Sequence, residues 1–173
     1  MRVADARPLA KLVQSRQVVL MQVKTLILGA GAAGMMCAAH AGRSTLIIDH
    51  AKAPGEKIRI SGGGRCNFTN LYAGPENFIS QNPHFAKSAL SRYTQWDFID
   101  LVNKHGVAYH EKTLGQLFCD DSAKQIIALL QDEMAKVGAQ LWLRTEIVEV
   151  RKPDKFEVTL RKDGKDTVVH ADA

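Results

Sequence analysis

A chain of 173 residues, 46% hydrophobic and 24% charged, is long enough for one soluble globular domain with a sizeable core, and no apolar run approaches the roughly 20 residues of a membrane span. The net charge of +5 does not by itself point to nucleic acid, because residues 1–23 hold four bases against one acid while the remainder holds nineteen against seventeen. Cys37, Cys66 and Cys119 form no CxxC or other metal-ligand spacing, so no metal site is expected, and the odd count at wide gaps fits a reducing cytoplasm better than a disulfide framework.

Residues 1–22 read as a disordered extension that adds nothing to the unit that follows. Lys11, Gln14, Ser15, Arg16 and Gln17 interrupt any apolar stretch there, which argues against a secretory signal. Met21 opens MQVKTLILGAG, so a start at Met21 is an alternative origin for the chain. The folded part then begins with an apolar run, Thr25 to Leu28, a glycine turn, a small-residue helix over Ala32 to Arg43 closed by Gly42, and a second apolar run, Thr45 to Ile48, ending on Asp49. That order is a mononucleotide-binding β-α-β unit. Gly29 allows the tight turn, Gly31 has no side chain to block a pyrophosphate, and Gly34 lets the helix pack close to the sheet. The helix N-terminus, with its free N–H groups, faces the phosphates. Asp49, twenty residues after Gly29, is placed to accept hydrogen bonds from a ribose. Cys37 and His40 on the helix are packing or surface residues.

A long connection over residues 51–75 follows, rich in Gly, Pro and Asn and without obvious regular structure. Gly62, Gly63 and Gly64 permit close backbone approach. They precede Arg65-Cys66-Asn67 rather than Gly-Lys-Ser/Thr, so this is no P-loop. Lys57, Arg59 and Arg65 have the charge to compensate phosphates or a reduced cofactor; on chemistry alone the stretch reads equally as a flexible loop with solvated charges. His84 to Tyr93 and Thr94 to His105 are expected to be helical, with Phe98, Leu101 and Val102 facing inward and Trp96 as a core or groove-lining residue. Val107 to Glu111 and Gln116 to Cys119 predict a hairpin about Thr113-Leu114-Gly115. His110-Glu111 lacks the second His of a zinc-protease motif. Ser122 and Gln125 form a capping box before a helix striped by Ile126, Leu130, Met134 and Val137. Gly138 ends it, and Ala139 to Leu143 supplies a further parallel strand. Ile147–Val150, Phe156–Leu160 and Thr167–Val169 predict a three-stranded antiparallel meander, turned at Pro153-Asp154 and Asp163-Gly164. No strand is expected to return to the parallel sheet.

The stretch PGEKIRISGGGRCNFTN, with GAGAAG before it, resembles the BaiN/RdsA family of NAD(P)/FAD-dependent oxidoreductases, and NPHFAKSALSRYTQWDFIDLVNKHG and EKTLGQLFCDDSA are similar to its proteobacterial branch. The resemblance runs from about Met21 to the C-terminus, and the glycine-arginine-cysteine-asparagine block carries most of it. It implies a Rossmann-like FAD-binding domain of the two-dinucleotide-binding type, in which a parallel sheet is joined to an antiparallel meander. Gly29, Gly31, Ala32, Ala33 and Gly34 would face the FAD pyrophosphate, and Asp49 and His50 the adenosine ribose. The segment Lys57, Arg59, Ser61, Gly62, Gly63, Gly64, Arg65, Cys66 and Asn67 would run toward the isoalloxazine, and backbone near Ile147 or Val148 would meet the adenine. The implied chemistry is reduction of an activated C=C bond, with NAD(P)H as hydride donor and FAD as carrier; one branch resembles enzymes that reduce a uridine of large-subunit ribosomal RNA. Family chains are more than twice as long, so residues 23–173 are expected to be the N-terminal part of the FAD domain, without its last strand and inserted domain, and to retain FAD weakly or not at all.

Two other functions fit parts of this pattern. An NAD(H)-dependent dehydrogenase module would use the same turn and Asp49, but needs no glycine block after the second strand. A non-enzymatic RNA-binding module would use the basic arm and Trp96, but the sequence lacks the interleaved basic and aromatic residues of a single-strand binder. Cys66 reads first as a small buried residue, with a redox or proton-donating place beside the flavin as the sharper alternative.

Overall fold

The computed structural model describes residues 19–173; the extension ahead of residue 19 lies outside them. Strands β1 (Val19–Val23) and β2 (Thr25–Leu28) lead to helix α1 (Ala32–Ala41) and strand β3 (Thr45–Ile48). Then come α2 (Glu56–Ile60), a 3-10 turn over Ser61–Gly64, β4 (Asn67–Asn70), α3 (Lys87–Arg92) and α4 (Gln95–Lys104). The chain closes with β5 (Tyr109–Glu111), β6 (Gln116–Cys119), α5 (Lys124–Lys136), β7 (Gln140–Trp142), β8 (Thr145–Arg151), β9 (Phe156–Lys162) and β10 (Lys165–Ala171).

Three sheets result. β2, β3 and β7 form a parallel sheet in the order β2-β3-β7, with Leu26 opposite Leu46 and Ile47 opposite Leu141. β3 is buried at all four positions, as a central strand covered on both faces must be. On one face α1 and α5 pack against it through Met35, Ala38, Ile126, Leu130 and Met134. On the other, Leu46 and Ile48 meet Val158, Leu160 and Val169 of the antiparallel sheet β1-β10-β9-β8. The small third sheet, β4-β6-β5, carries the hairpin and the strand that leaves the glycine block.

Several expectations change. The stretch before Val23 is not wholly outside the fold: Val19–Val23 is strand β1, parallel to β10 with Met21 opposite Val169. Alternation in VLMQV is too short to register as a strand, and its partner lies 148 residues away in register. The 51–75 connection is not a structureless loop; α2, the 3-10 turn and β4 occupy much of it. No strand follows β10, but the last residue still touches the edge of the parallel sheet. Ala173 donates its N–H to the Lys24 carbonyl (3.0 Å) and accepts from the Leu26 N–H (2.9 Å), along the edge of β2 away from β3. The Ser122 capping box is half formed. The Ser122 N–H donates to Gln125 Oε1 at 3.4 Å, while the Ser122 hydroxyl accepts from Lys124 rather than Gln125.

Candidate functional site

The turn between β2 and α1 is built by glycines doing different jobs. Gly29 has φ +109°, a conformation few L side chains adopt. At Gly34 a Cβ would lie 1.9 Å from the Gly29 carbonyl oxygen, so helix and turn approach as closely as their backbones allow. At Gly31 a Cβ would meet nothing within 4 Å, so this position is open space in front of the helix. No side chain caps α1 and its first turn holds no acid. Its leading N–H groups are therefore left to a ligand or water. The Ala30 N–H donates to Asp49 Oδ2 at 2.7 Å and the Ala51 N–H to Asp49 Oδ1 at 2.9 Å, with His50 Nδ1 3.3 Å from that oxygen. Asp49 thus ties the ends of β2 and β3 together while remaining at the edge of the space beyond.

That space is a cavity of about 790 Å³, within the range of cofactor sites. Its lining includes the turn and helix start (Gly31, Ala32, Ala33) with Asp49 and His50, and also Lys57, Ser61, Cys66 and Asn67. Two sequence motifs separated by about thirty residues therefore share one space. A second cleft of about 490 Å³, lined by Gly29, Asp49, His50 and Ile147, shares Asp49 and His50 with the first.

The glycine block is held from behind. The Gly64 carbonyl accepts from the Ala123 N–H (2.7 Å) and the Arg65 carbonyl from the Cys119 N–H (3.0 Å). Gly62, at φ +57°, lies against the Phe118 ring, 2.6 Å from where a Cβ would stand. Gly63 repeats the left-handed backbone at φ +66°. Cys66 adopts it too, at φ +55°, and a non-glycine residue pays for that with strain of about 1–3 kcal/mol. Burial pushes the Cys66 thiol above its ordinary value, opposed more weakly by the adjacent Ser61 hydroxyl. Cys119, directly behind, is pushed up to about 11 by burial and by the nearby Cys66. Ser61 Oγ is buried, and beyond its interaction with the Cys66 thiol it has no hydrogen-bond partner among the described residues. A buried hydroxyl so short of partners on a cavity wall is a polar group with bonding capacity to spare.

Not every expected residue reaches the cavity. Arg59 turns its Nε toward the Pro54 carbonyl (3.3 Å), and Arg65 is exposed on the outer side of the turn. Gly62, Gly63 and Gly64 shape the wall without lining it, and Val148 sits at a bulge between β8 and β9 instead of facing either cleft. Conversely, Met36, Phe68, Tyr93, Phe98, Ile126 and Leu130 line the cavity without having been singled out as site residues. Phe98, Ile126 and Leu130 were legible as the inward stripes of helices, but periodicity cannot tell a core contact from a cavity wall. Trp96 is a correction: on the first turn of α4 it is 54% exposed rather than part of the core. His110 pairs with Asp120 at 2.7 Å.

The comparisons with known proteins agree with this geometry. The family model of the HI0933-like protein Rossmann domain matches residues 23–172. The chain is 62% identical to the ribosomal RNA dihydrouridine synthase of Escherichia coli (strain K12) over 142 residues, which are 80% of this chain and 35% of that protein. It is 54% identical to the Haemophilus influenzae ribosomal RNA dihydrouridine synthase over 132 residues, 75% of this chain and 33% of that protein. The chain thus spans about a third of the length of these curated relatives. Among solved structures, the 3-ketosteroid-Δ4-(5α)-dehydrogenase of Rhodococcus jostii RHA1 superposes with a TM-score of 0.65 at 13% identity, over 94% of this chain and 46% of that one. At that identity the likeness concerns the fold: a Rossmann-like parallel sheet with an antiparallel meander on one face and helices on the other. The chain belongs to the HI0933-like family, and residues 23–172 are its Rossmann domain.

Proposed function

We propose that the chain is the FAD-binding part of a reductase that transfers hydride from NAD(P)H to an activated C=C bond, with a uridine of ribosomal RNA as substrate. The observation that carries this reading is one cavity lined both by the turn before α1 (Ala30 to Ala33) and by Lys57, Ser61, Cys66 and Asn67. A simple nicotinamide module has no use for the second group. The names of the two bacterial relatives support the substrate and the reaction.

The residues present fit FAD. Gly31, Ala32 and Ala33 offer uncapped N–H groups at the positive end of α1 to a pyrophosphate. Asp49, held in place by the Ala30 and Ala51 N–H groups, retains lone pairs for a ribose hydroxyl, and His50 stands beside it. Gly29 and Ile147 line the adjoining cleft on the adenine side. Lys57 brings a positive charge to the lining, and the buried Ser61 hydroxyl, whose one interaction in the protein is with the Cys66 thiol, has capacity for a further hydrogen bond. The chemistry FAD supplies when bound is two-electron transfer between a reduced nicotinamide and a C=C bond. Cys66, kept protonated by its burial, is the candidate proton donor at that end. Met36, Phe98 and Leu130 exclude water from the apolar side of the cavity.

The test is equilibrium titration of FAD by quenching of its fluorescence. Saturable quenching is expected, reversed by desalting, and abolished by Gly31→Asp, whose carboxylate projects into open space and repels the pyrophosphate without disturbing the fold. A wild-type chain that leaves FAD fluorescence unchanged would sink the cofactor assignment. Bleaching of bound flavin by NADPH or NADH then identifies the donor.

A further inference from the structure

Positive charge is in excess along one stretch of the chain. Residues 51–96 hold six Lys and Arg against two acids, and Lys87 and Arg92 of α3 form no ion pair among the described residues. The same stretch exposes aromatic rings: Tyr72 is 71% exposed and Phe78 41%. These two rings, with Leu114, Asn70 and Asn77, line a separate cleft of about 360 Å³. The stretch that forms most of this cleft thus carries both exposed rings and an excess of bases.

The cleft is built rather than incidental. Asn70 fixes both of its sides, accepting from the Tyr72 N–H and donating to the Leu114 carbonyl, each at 2.8 Å. Gly115, at φ +76°, leaves room for the Tyr72 ring, which would lie 2.7 Å from a Cβ there. The Gln95 side chain donates to the Leu71 carbonyl (3.1 Å), tying the start of α4 to this turn. Asn77 accepts from the Gly74 N–H through its Oδ1, so its NH₂ group remains as a donor at the rim. The Glu76 carboxylate folds back over Gly74. β4 joins the two sites: Asn67 and Phe68 line the large cavity and Asn70 this cleft, three residues or about 10 Å further along the strand.

We propose that the Tyr72–Phe78 cleft seats an unpaired nucleobase of an RNA strand whose neighbouring uridine enters the large cavity. Flat apolar walls with an amide donor at the edge suit an unstacked base, which single-strand readers hold against aromatic rings. Lys87 and Arg92 take the adjoining phosphates, and the charge of the 51–96 stretch complements the polyanion. This rests on the RNA-substrate reading and names the surface that would serve it.

The experiment is fluorescence anisotropy of a labelled single-stranded, uridine-containing RNA oligonucleotide with the full 173-residue chain, alongside the FAD titration. The Tyr72→Ala/Phe78→Ala variant is expected to bind about tenfold or more weakly, because stacking on an aromatic ring carries much of single-strand affinity. Lys87→Gln/Arg92→Gln is expected to flatten the dependence of log K on log salt by about 1.4, two phosphate contacts on a single strand. Both variants alter exposed side chains and are expected to quench FAD as the wild type does. RNA affinity equal in wild type and variants overturns the proposal, as does a wild-type chain that binds FAD but no RNA; the latter leaves the cofactor reading standing. Self-association that Tyr72→Ala/Phe78→Ala abolishes would assign the cleft to a second copy of the chain and overturn it likewise. A chain that binds neither ligand removes both readings together.

Discussion

At Gly34 a single methyl group decides the geometry of the turn. The added Cβ would stand 1.9 Å from a backbone oxygen that no rotamer can move. Gly34→Ala is therefore expected to cost about 2 kcal/mol or more, as overpacking against rigid backbone does, read as a fall in the denaturant midpoint. Gly31→Ala, in open space at φ −82°, is expected to stay within about 0.5 kcal/mol of wild type. Equal effects at the two positions would show that helix and turn are not in the close contact seen here. The cysteines separate in the same way. Cys37 is exposed, whereas Cys66 and Cys119 are buried with thiols raised by desolvation. Since only the thiolate alkylates, iodoacetamide at neutral pH is expected to label Cys37 first. Cys66 should follow only as the pH is raised, and Cys119 last, toward its value of about 11. Peptide mass analysis after timed quenching reads the order. Cys66 modified at neutral pH as fast as Cys37 would mean a thiolate, and would remove the proton-donor role proposed for it.

At the level of elements, α4 and α5 are joined by a polar cluster as well as by their apolar stripes. His105 at the end of α4 meets Glu133 Oε1 at 2.7 Å, and Lys136 bonds the same oxygen. The hydrogen bonds from Lys136 and then His105 hold the Glu133 carboxyl below the usual range. A carboxyl depressed in the folded state contributes stability that is present above its unfolded value of about 4.3 and disappears as pH falls through the folded value. The wild type is thus expected to exceed Glu133→Gln by up to about 1 kcal/mol near pH 6, with the gap closing as the pH is brought below that unfolded value and through the lower folded one. Chemical denaturation across that range measures it; a gap that persists in acid would mean the role of Glu133 is packing. The 51–75 connection shows what element-level reading misses. EKIRI is only five residues of helix, and SGGG turns through two left-handed glycines. Neither is long enough to leave a periodic signal. Their order comes from Ala123, Cys119 and Phe118, which lie 50 or more residues further along the chain.

Across the whole molecule, two apolar clusters lie on opposite faces of one parallel sheet, and Leu160 is fully buried in the cluster that joins it to the meander. Leu160→Ala is expected to cost about 2–5 kcal/mol, measured by urea denaturation. A much smaller loss would show that the meander is only loosely attached. The β-α-β unit, the α5–β7 crossover and the meander were all legible in the sequence, because short-range patterns specify them: β2 and β3 match the two apolar runs residue for residue. Glycine spacing also disclosed the turn, since only glycine fits φ +109° at Gly29 and the contact at Gly34. Three things waited for the tertiary structure. β1 and the edge contacts of Ala173 depend on partners far away in sequence. The cavity wall drew on Phe98, Ile126 and Leu130, whose apolar character is the same whether they fill a core or face a space. The cleft that Tyr72 and Phe78 share with Leu114 arises only when the 51–96 stretch folds against the 113–115 turn. The sequence by itself determined the long helices, the parallel strands and the meander, and which turn carries the glycine pattern of a nucleotide-binding loop, because those follow from local periodicity and from backbone angles that glycine alone adopts readily. Tertiary structure decided which side chains share a space, because that depends on distances between residues the chain keeps far apart.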